Sequence, residues 1–287
     1  MKNKKSFLKN NTVFQALRTN TLLTIGVVIC AIWLFVIIFA DYLAPYDPLL
    51  QDLSLRLQPP CREHLFGTDS LGRDILSRVL AGSRISIGAG LQCVIISAVA
   101  GMLIGGISGY IGGIFDDVVM RIGELFSSFP TIILAMVIAS AMGPSLFNTL
   151  LTMCIVWWPN YARVMRAMVI QVKSNEYVEA SRCLGASRMR IFIREILPNS
   201  ISSVIVLTTV DFGNAILLFA SLSYLGLGSP PPAPEWGAMV SNGAEQFYYW
   251  WVATFPGLAI LSVSLGANFI GDGIRDYLDP KLRKTIS

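Results

Sequence analysis

Residues 21–40 read TLLTIGVVICAIWLFVIIFA, an unbroken run without a charged side chain. A helix needs about 20 such residues to cross the hydrocarbon core of a bilayer, because in lipid every backbone polar group must be satisfied within the segment. Lys2, Lys4, Lys5 and Lys9 precede the run and give it the charged flank of a secretion signal. It is longer than the roughly 7–15 apolar residues of a signal core, and no small-x-small cleavage site follows it convincingly. It reads as an uncleaved first span.

Five further stretches have the same character, at about 86–109, 121–142, 148–166, 199–221 and 252–271. The fourth is the least regular, because Trp157, Trp158 and Pro159 interrupt it. The composition agrees with a membrane solvent: 54% of the 287 residues are hydrophobic and only 14% are charged, against roughly 25% charged in soluble domains. A soluble fold cannot bury that much apolar surface. The expected fold is therefore an all-α, polytopic membrane helical bundle with about six transmembrane helices, its principal partner the lipid bilayer. The net charge of +4 is modest and gives no reason to expect a nucleic-acid partner.

Lys and Arg placement sets the expected orientation. With both termini inside, the cytoplasm receives the N-terminal lysines, Arg18, the arginines from Arg163 to Arg194 and the basic C-terminus. One stretch conflicts with the rule: Arg56, Arg62, Arg73, Arg78 and Arg84 fall between spans one and two, outside in this topology. The resulting division is a cytoplasmic tail over 1–20, a first helix over 21–41 and an extracytoplasmic segment over 42–85. A core over 86–275 follows, with a cytoplasmic loop at 167–198, and then a cytoplasmic tail over 276–287. Gly101, Gly105, Gly109 and Gly113 recur every fourth residue and predict close helix packing. Residues 230–234 (PPPAP) predict a stiff outer loop.

No catalytic or metal constellation is visible. Five cysteines are scattered without CxxC spacing, and Cys61 has no evident disulfide partner on its side. His64 is the lone histidine and reads as a satisfied surface residue, since one imidazole cannot build a metal site. The dispersed methionines read as packing. Trp157, Trp158, Tyr248, Tyr249, Trp250 and Trp251 read as interfacial aromatic belts. Asp211 is an ionisable group deep in the fifth span, and with Thr208 and Asn214 it makes a polar stripe at three-residue spacing. That stripe lines a translocation path or forms an interhelical hydrogen-bond cluster.

The loop between spans four and five carries a distinct pattern. Val178, Cys183 and Leu184 can share a face of a short helix, with Glu179 and Arg182 beside it. Gly185 suits the left-handed residue that ends such a helix. A second amphipathic helix follows, with Ile191, Phe192 and Ile196 toward the membrane and Arg188, Arg190 and Arg194 toward water. Two short helices joined at a glycine make a rigid knob that can transmit displacement, or an amphipathic hairpin lying in the interface.

These residues resemble a known family. Glu179-Ala180-Ser181, then Leu184-Gly185-Ala186, Ile191 and Leu197-Pro198 look like the EAA loop of ABC importer permeases, with Ser181 in place of the second alanine. The stretches 66–69 (FGTD), 71–74 (LGRD), Ser77-Arg78, 222–228 (LSYLGLG), Trp236-Gly237, 271–276 (GDGIRD) and 278–280 (LDP) are similar to the second, DppC/OppC-like permease of the dipeptide/oligopeptide/nickel branch. The chain departs from that pattern at Phe219, where the family usually has an acid, and at Glu195, where it usually has a histidine.

The resemblance implies a type I importer fold, a paralogous permease partner, two ABC ATPase subunits docked on the loop and an extracytoplasmic solute-binding protein. It also implies peptides, nickel or metal chelates as cargo. No GxxxxGK[ST] phosphate loop is present, so no cofactor is expected in this chain and ATP with magnesium belongs to the partners. A secondary transporter or channel would call for inverted repeats, and an intramembrane enzyme for convergent catalytic groups. Neither pattern is seen.

Overall fold

The computed structural model describes residues 20–278. The N-terminal lysines and Arg18, the Asp279-Pro280 pair and the basic C-terminus lie outside the described residues.

The described residues form helices joined by loops, the one β contact among them being an isolated bridge between Thr68 and Asp74. Helix α1 spans Thr21–Leu43, and its N-cap Asn20 accepts from the Leu23 amide at 3.1 Å. Leu22, Ile25, Val28, Ile32, Phe35 and Ile38 remain exposed along it, as expected of a face in contact with lipid. Its inner face packs on the last helix, where Gly26 lets the two backbones approach.

Helix α2 runs from Ile75 to Ile111, about 55 Å at 1.5 Å per residue. It begins well before the expected residue 86. Asp74 caps it by accepting from the Ser77 amide at 2.8 Å and the Ser77 hydroxyl at 2.7 Å. It ends at Gly112, whose φ is +73°. Helices α3 (Gly113–Ser127) and α4 (Thr131–Met142) follow, bent by 92°. The expected third span is therefore broken, because a residue preceding proline avoids the helical region and Pro130 stands at the bend.

Helix α5 covers Leu146–Lys173 with Pro159 inside, and α6 covers Glu176–Cys183. Helix α7 (Arg188–Ile191) passes through a π turn at Phe192–Ile196 into α8, Leu197–Tyr224. Helices α9 (Trp236–Ala244) and α10 (Trp251–Leu278) complete the described chain. Four helices are long and apolar enough to cross a membrane, or five if the bent pair is one span. Helix α5 is long enough but falls short in apolarity, since residues 157–163 (WWPNYAR) dilute its centre.

Three apolar clusters hold the bundle. One joins α2, α8, α9 and α10 around Ile75, Ile216, Trp236 and Trp251. A middle one joins α2, α4, α5 and α8 around Cys93, Met153 and Phe219. The third gathers Val169, Val172, Val178, Ile191, Ile196 and Val204 and roots α6 and α7 in the bundle. The glycine stripe works as packing at three positions: Gly101 and Gly105 meet Tyr161 and Ala162, and Gly109 meets Arg166. Gly113 instead has a φ of +63° and starts α3.

The arginines between the first two expected spans are partly held by carboxylates. Arg73 and Arg78 are buried, with Arg73 Nε 2.7 Å and Arg78 Nε 3.6 Å from Asp69 Oδ2. Arg84 holds Asp41 at 2.8 and 2.9 Å. Three of the five are thus tied to carboxylates of their own segment or of α1. His64 is a correction: it is buried, with Nδ1 2.9 Å from Asp74 Oδ1. Trp157 and Trp251 are buried as well, not interfacial; the Trp251 indole donates to the Thr68 carbonyl at 3.2 Å.

Candidate functional site

The hairpin over 174–198 is built by local chemistry. Glu176 and Glu179 stand in the first turn of α6 and Arg182 in the last, each where it complements the helix dipole. Gly185 has a φ of +80°. Its amide donates to the Arg182 carbonyl at 2.9 Å, and the Ala186 amide reaches the Ser181 carbonyl at 3.1 Å. That pair of bonds is a Schellman motif, which satisfies carbonyls that a helix end would otherwise leave open. Ser187 then caps α7 by accepting from the Arg190 amide at 3.4 Å.

The base of the hairpin is buried and its tip is not. Val178, Ile191 and Ile196 enter the cluster shared with α5 and α8. Ser181, Ala186 and Leu197 are half-buried, whereas Glu179, Ala180, Gly185 and Pro198 are exposed. Leu184 is 88% exposed and Met189 67% exposed.

Two expectations are corrected here. Cys183 and Leu184 do not share the face of Val178, because at 3.6 residues per turn positions five and six residues on fall on other sides of the helix, and both are exposed. Ile191 and Ile196 point into the protein's own core instead of toward the membrane. With Val178, Ile191 and Ile196 covered by α5 and α8, the base of the hairpin is an extension of the bundle, and its tip is left uncovered.

The three stripe residues of α8 separate. The Thr208 hydroxyl turns back on the Ile205 carbonyl at 2.6 Å. Asp211 is half-buried on α8, and the buried Tyr161 hydroxyl of α5 has no hydrogen-bond partner among the described residues. Asn214 is exposed. The fold thus leaves Asp211 partly covered and Asn214 on an open face. Phe219, in the position of the family's acid, is fully buried among apolar neighbours. Among the described residues, no three His, Cys, Asp or Glu side chains gather as metal ligands.

Sequence reasoning missed the contacts that brace the hairpin end. Arg166 of α5 grips Asp116 of α3, with Nε 2.6 and 2.8 Å and Nη2 2.5 Å from the carboxylate oxygens. The Ser108 hydroxyl of α2 joins the same carboxylate. Tyr110, in the last turn of α2, donates from its hydroxyl to the Arg188 carbonyl at 2.7 Å. No spacing in the sequence signals pairs so far apart in the chain.

The profile for binding-protein-dependent transport system inner membrane components matches residues 101–284, and that for the N-terminal transmembrane domain of oligopeptide transport permease C matches residues 11–60. The chain is 46% identical over 266 residues to the probable D,D-dipeptide transport system permease protein DdpC of Escherichia coli, covering 92% of this chain and 89% of that one. It is 40% identical to the oligopeptide transport system permease protein OppC of Bacillus subtilis, covering 93% and 88%. Among solved structures, an inward-facing form of the MetNI methionine ABC transporter superposes with a TM-score of 0.52 at 20% identity, over 67% of this chain and 94% of that one. That likeness assigns the type I importer permease fold. The chain belongs to the family of binding-protein-dependent transport system inner membrane components, in its DppC/OppC-like permease branch.

Proposed function

We propose that this chain forms half of the translocation pathway of an ATP-driven peptide importer in a bacterial cytoplasmic membrane. In this reading it pairs with a paralogous permease, is driven by two ATPase subunits and receives cargo from an extracytoplasmic binding protein. The observation that carries the proposal is the hairpin. Its base is rooted in the bundle core by Val178, Ile191 and Ile196, while Leu184 and Met189 stand uncovered at its tip.

Such a projection suits a groove on a soluble partner, and its Schellman turn makes it stiff enough to pass on a displacement. The hairpin end then lies in the cytoplasm, where ATP is available, and the segment over 44–74 lies outside. ATP binding and release on the partners would favour alternate states of the bundle. Peptide cargo follows from the names of the relatives, among them those of DdpC and OppC. The resemblance also admits nickel or metal-chelate cargo. Asp211, half-buried on α8, would meet a cationic group such as a peptide amino terminus.

The test is uptake by vesicles containing this chain, its permease partner, the ATPases and the binding protein. Labelled peptide should accumulate only with ATP supplied on the side that carries the ATPases. Accumulation driven by an ion gradient, without ATP or the ATPases, would overturn the proposal.

A further inference from the structure

The hairpin is joined to the bundle covalently through α5 and α8, but it also touches a helix to which it is not connected in sequence. Tyr110 stands one residue before the end of α2. Its hydroxyl donates to the carbonyl of Arg188, the first residue of α7, at 2.7 Å. Its ring lies 4.8 Å from that of Phe192, the first residue of the π turn. On the other side, Lys173 donates from Nζ to the Tyr110 carbonyl at 2.7 Å and sits 5.5 Å from the centre of its ring. One side chain thus clasps the hairpin at its inner helix, and its backbone is clasped by the end of α5.

Helix α2 is positioned to use that grip. It is the one described helix that runs unbroken from Tyr110 to the segment over 44–74, and near the hairpin it is locked by the Ser108, Asp116 and Arg166 contacts. At its other end Asp74 caps it, Arg78 donates to the Pro48 carbonyl at 3.0 Å, and Ser86 donates to Glu235 at 3.2 Å. The Val79 carbonyl there receives the Trp236 indole at 2.9 Å. A push on α7 therefore meets a stiff rod whose far end carries the opposite face of the protein. The π turn beginning at Phe192 is the irregular element at the joint, and such turns are common at helix kinks and functional sites.

We propose that Tyr110 is a positioning residue for coupling, the strut through which movement of the hairpin reaches the far end of α2. The inference rests on the importer reading above and extends it by assigning a second route of transmission, besides the covalent ones through α5 and α8. The hydroxyl supplies the hydrogen bond to Arg188 and the ring supplies the contact with Phe192, so the two parts can be removed separately.

The experiment uses the full complex in vesicles and compares Tyr110→Phe and Tyr110→Ala with the unchanged protein. The readout is peptide accumulated per ATP hydrolysed, measured beside the melting temperature and the amount of ATPase that co-purifies. Tyr110→Phe should lower the ratio on the order of fivefold, the equilibrium equivalent of one hydrogen bond. Tyr110→Ala should lower it further, and ATPase should still co-purify with both. A ratio unchanged in both variants, against a coupled unchanged protein, overturns the role of Tyr110 and leaves the importer reading standing. A ratio that falls only together with lost ATPase or a lowered melting temperature also overturns it, since Tyr110 would then merely hold the fold. If the unchanged protein moves peptide without consuming ATP, the importer reading itself fails and the strut with it.

Discussion

Arg166 holds Asp116 through two nitrogens at 2.5 to 2.8 Å, and the pair fastens α5 to α3 where α2 ends. Asp116 is buried and Arg166 keeps partial access to solvent. Removing Asp116 costs its charge-assisted hydrogen bonds but leaves an Arg166 that still reaches water, a loss of about 1.5–3 kcal/mol. Asp116→Asn is expected at the lower end of that range, a fall of roughly 3–6 °C in melting temperature. Arg121→Ala, which breaks an exposed pair with Glu124, should leave melting nearly unchanged. Equal effects of the two substitutions in detergent would refute this assignment.

Neighbouring glycines of α2 should respond with opposite signs. A Cβ on Gly105 would land on the backbone of Ala162, whereas one on Gly106 would rest 3.5 Å from Met165. Gly105→Ala should destabilise by about 1–3 kcal/mol through overpacking. Gly106→Ala should be neutral or stabilise by about 0.5–1 kcal/mol, the usual gain of alanine over glycine inside a helix. Thermal unfolding of both variants checks the packing of α2 on α5.

Glu235 caps α9, accepting from the amides of Gly237 and Ala238 at 2.8 and 2.9 Å. Burial raises its carboxyl above the ordinary value of 4.5, with those amides and the Ser86 hydroxyl opposing the shift. The folded protein therefore keeps a proton that the unfolded chain releases. Stability falls as pH climbs from about the ordinary glutamate value through the raised one. Glu235→Gln removes this dependence, so the melting temperature of the unchanged protein relative to the variant should drop as pH rises. A flat or rising difference would contradict the burial of this carboxyl.

The helical bundle was legible because apolar runs of that length leave a chain few alternatives. The hairpin was legible because Gly185 occupies a conformation that other residues rarely adopt, at a fixed distance after Glu179. The early start of α2 was hidden. Ser77, Arg78 and Arg84 give its first turns a polar composition, and only the fold brings Asp69 and Asp41 to those arginines. The bend between α3 and α4 had a signal, Pro130 after two serines and a phenylalanine, but the apolar average across it reads as one span. Tyr110 had none, since a tyrosine at the end of a span is what any interfacial belt would show.

The hairpin as a lever is tested most directly by ATP hydrolysis in the assembled complex, with and without the peptide-loaded binding protein. Gly185→Asp places a side chain on a backbone at a φ of +80° and a charge beside the exposed Leu184. With the permease pair still assembled, stimulation by the loaded binding protein should disappear in this variant and basal hydrolysis by the ATPases should persist. Full stimulation in Gly185→Asp would contradict the account.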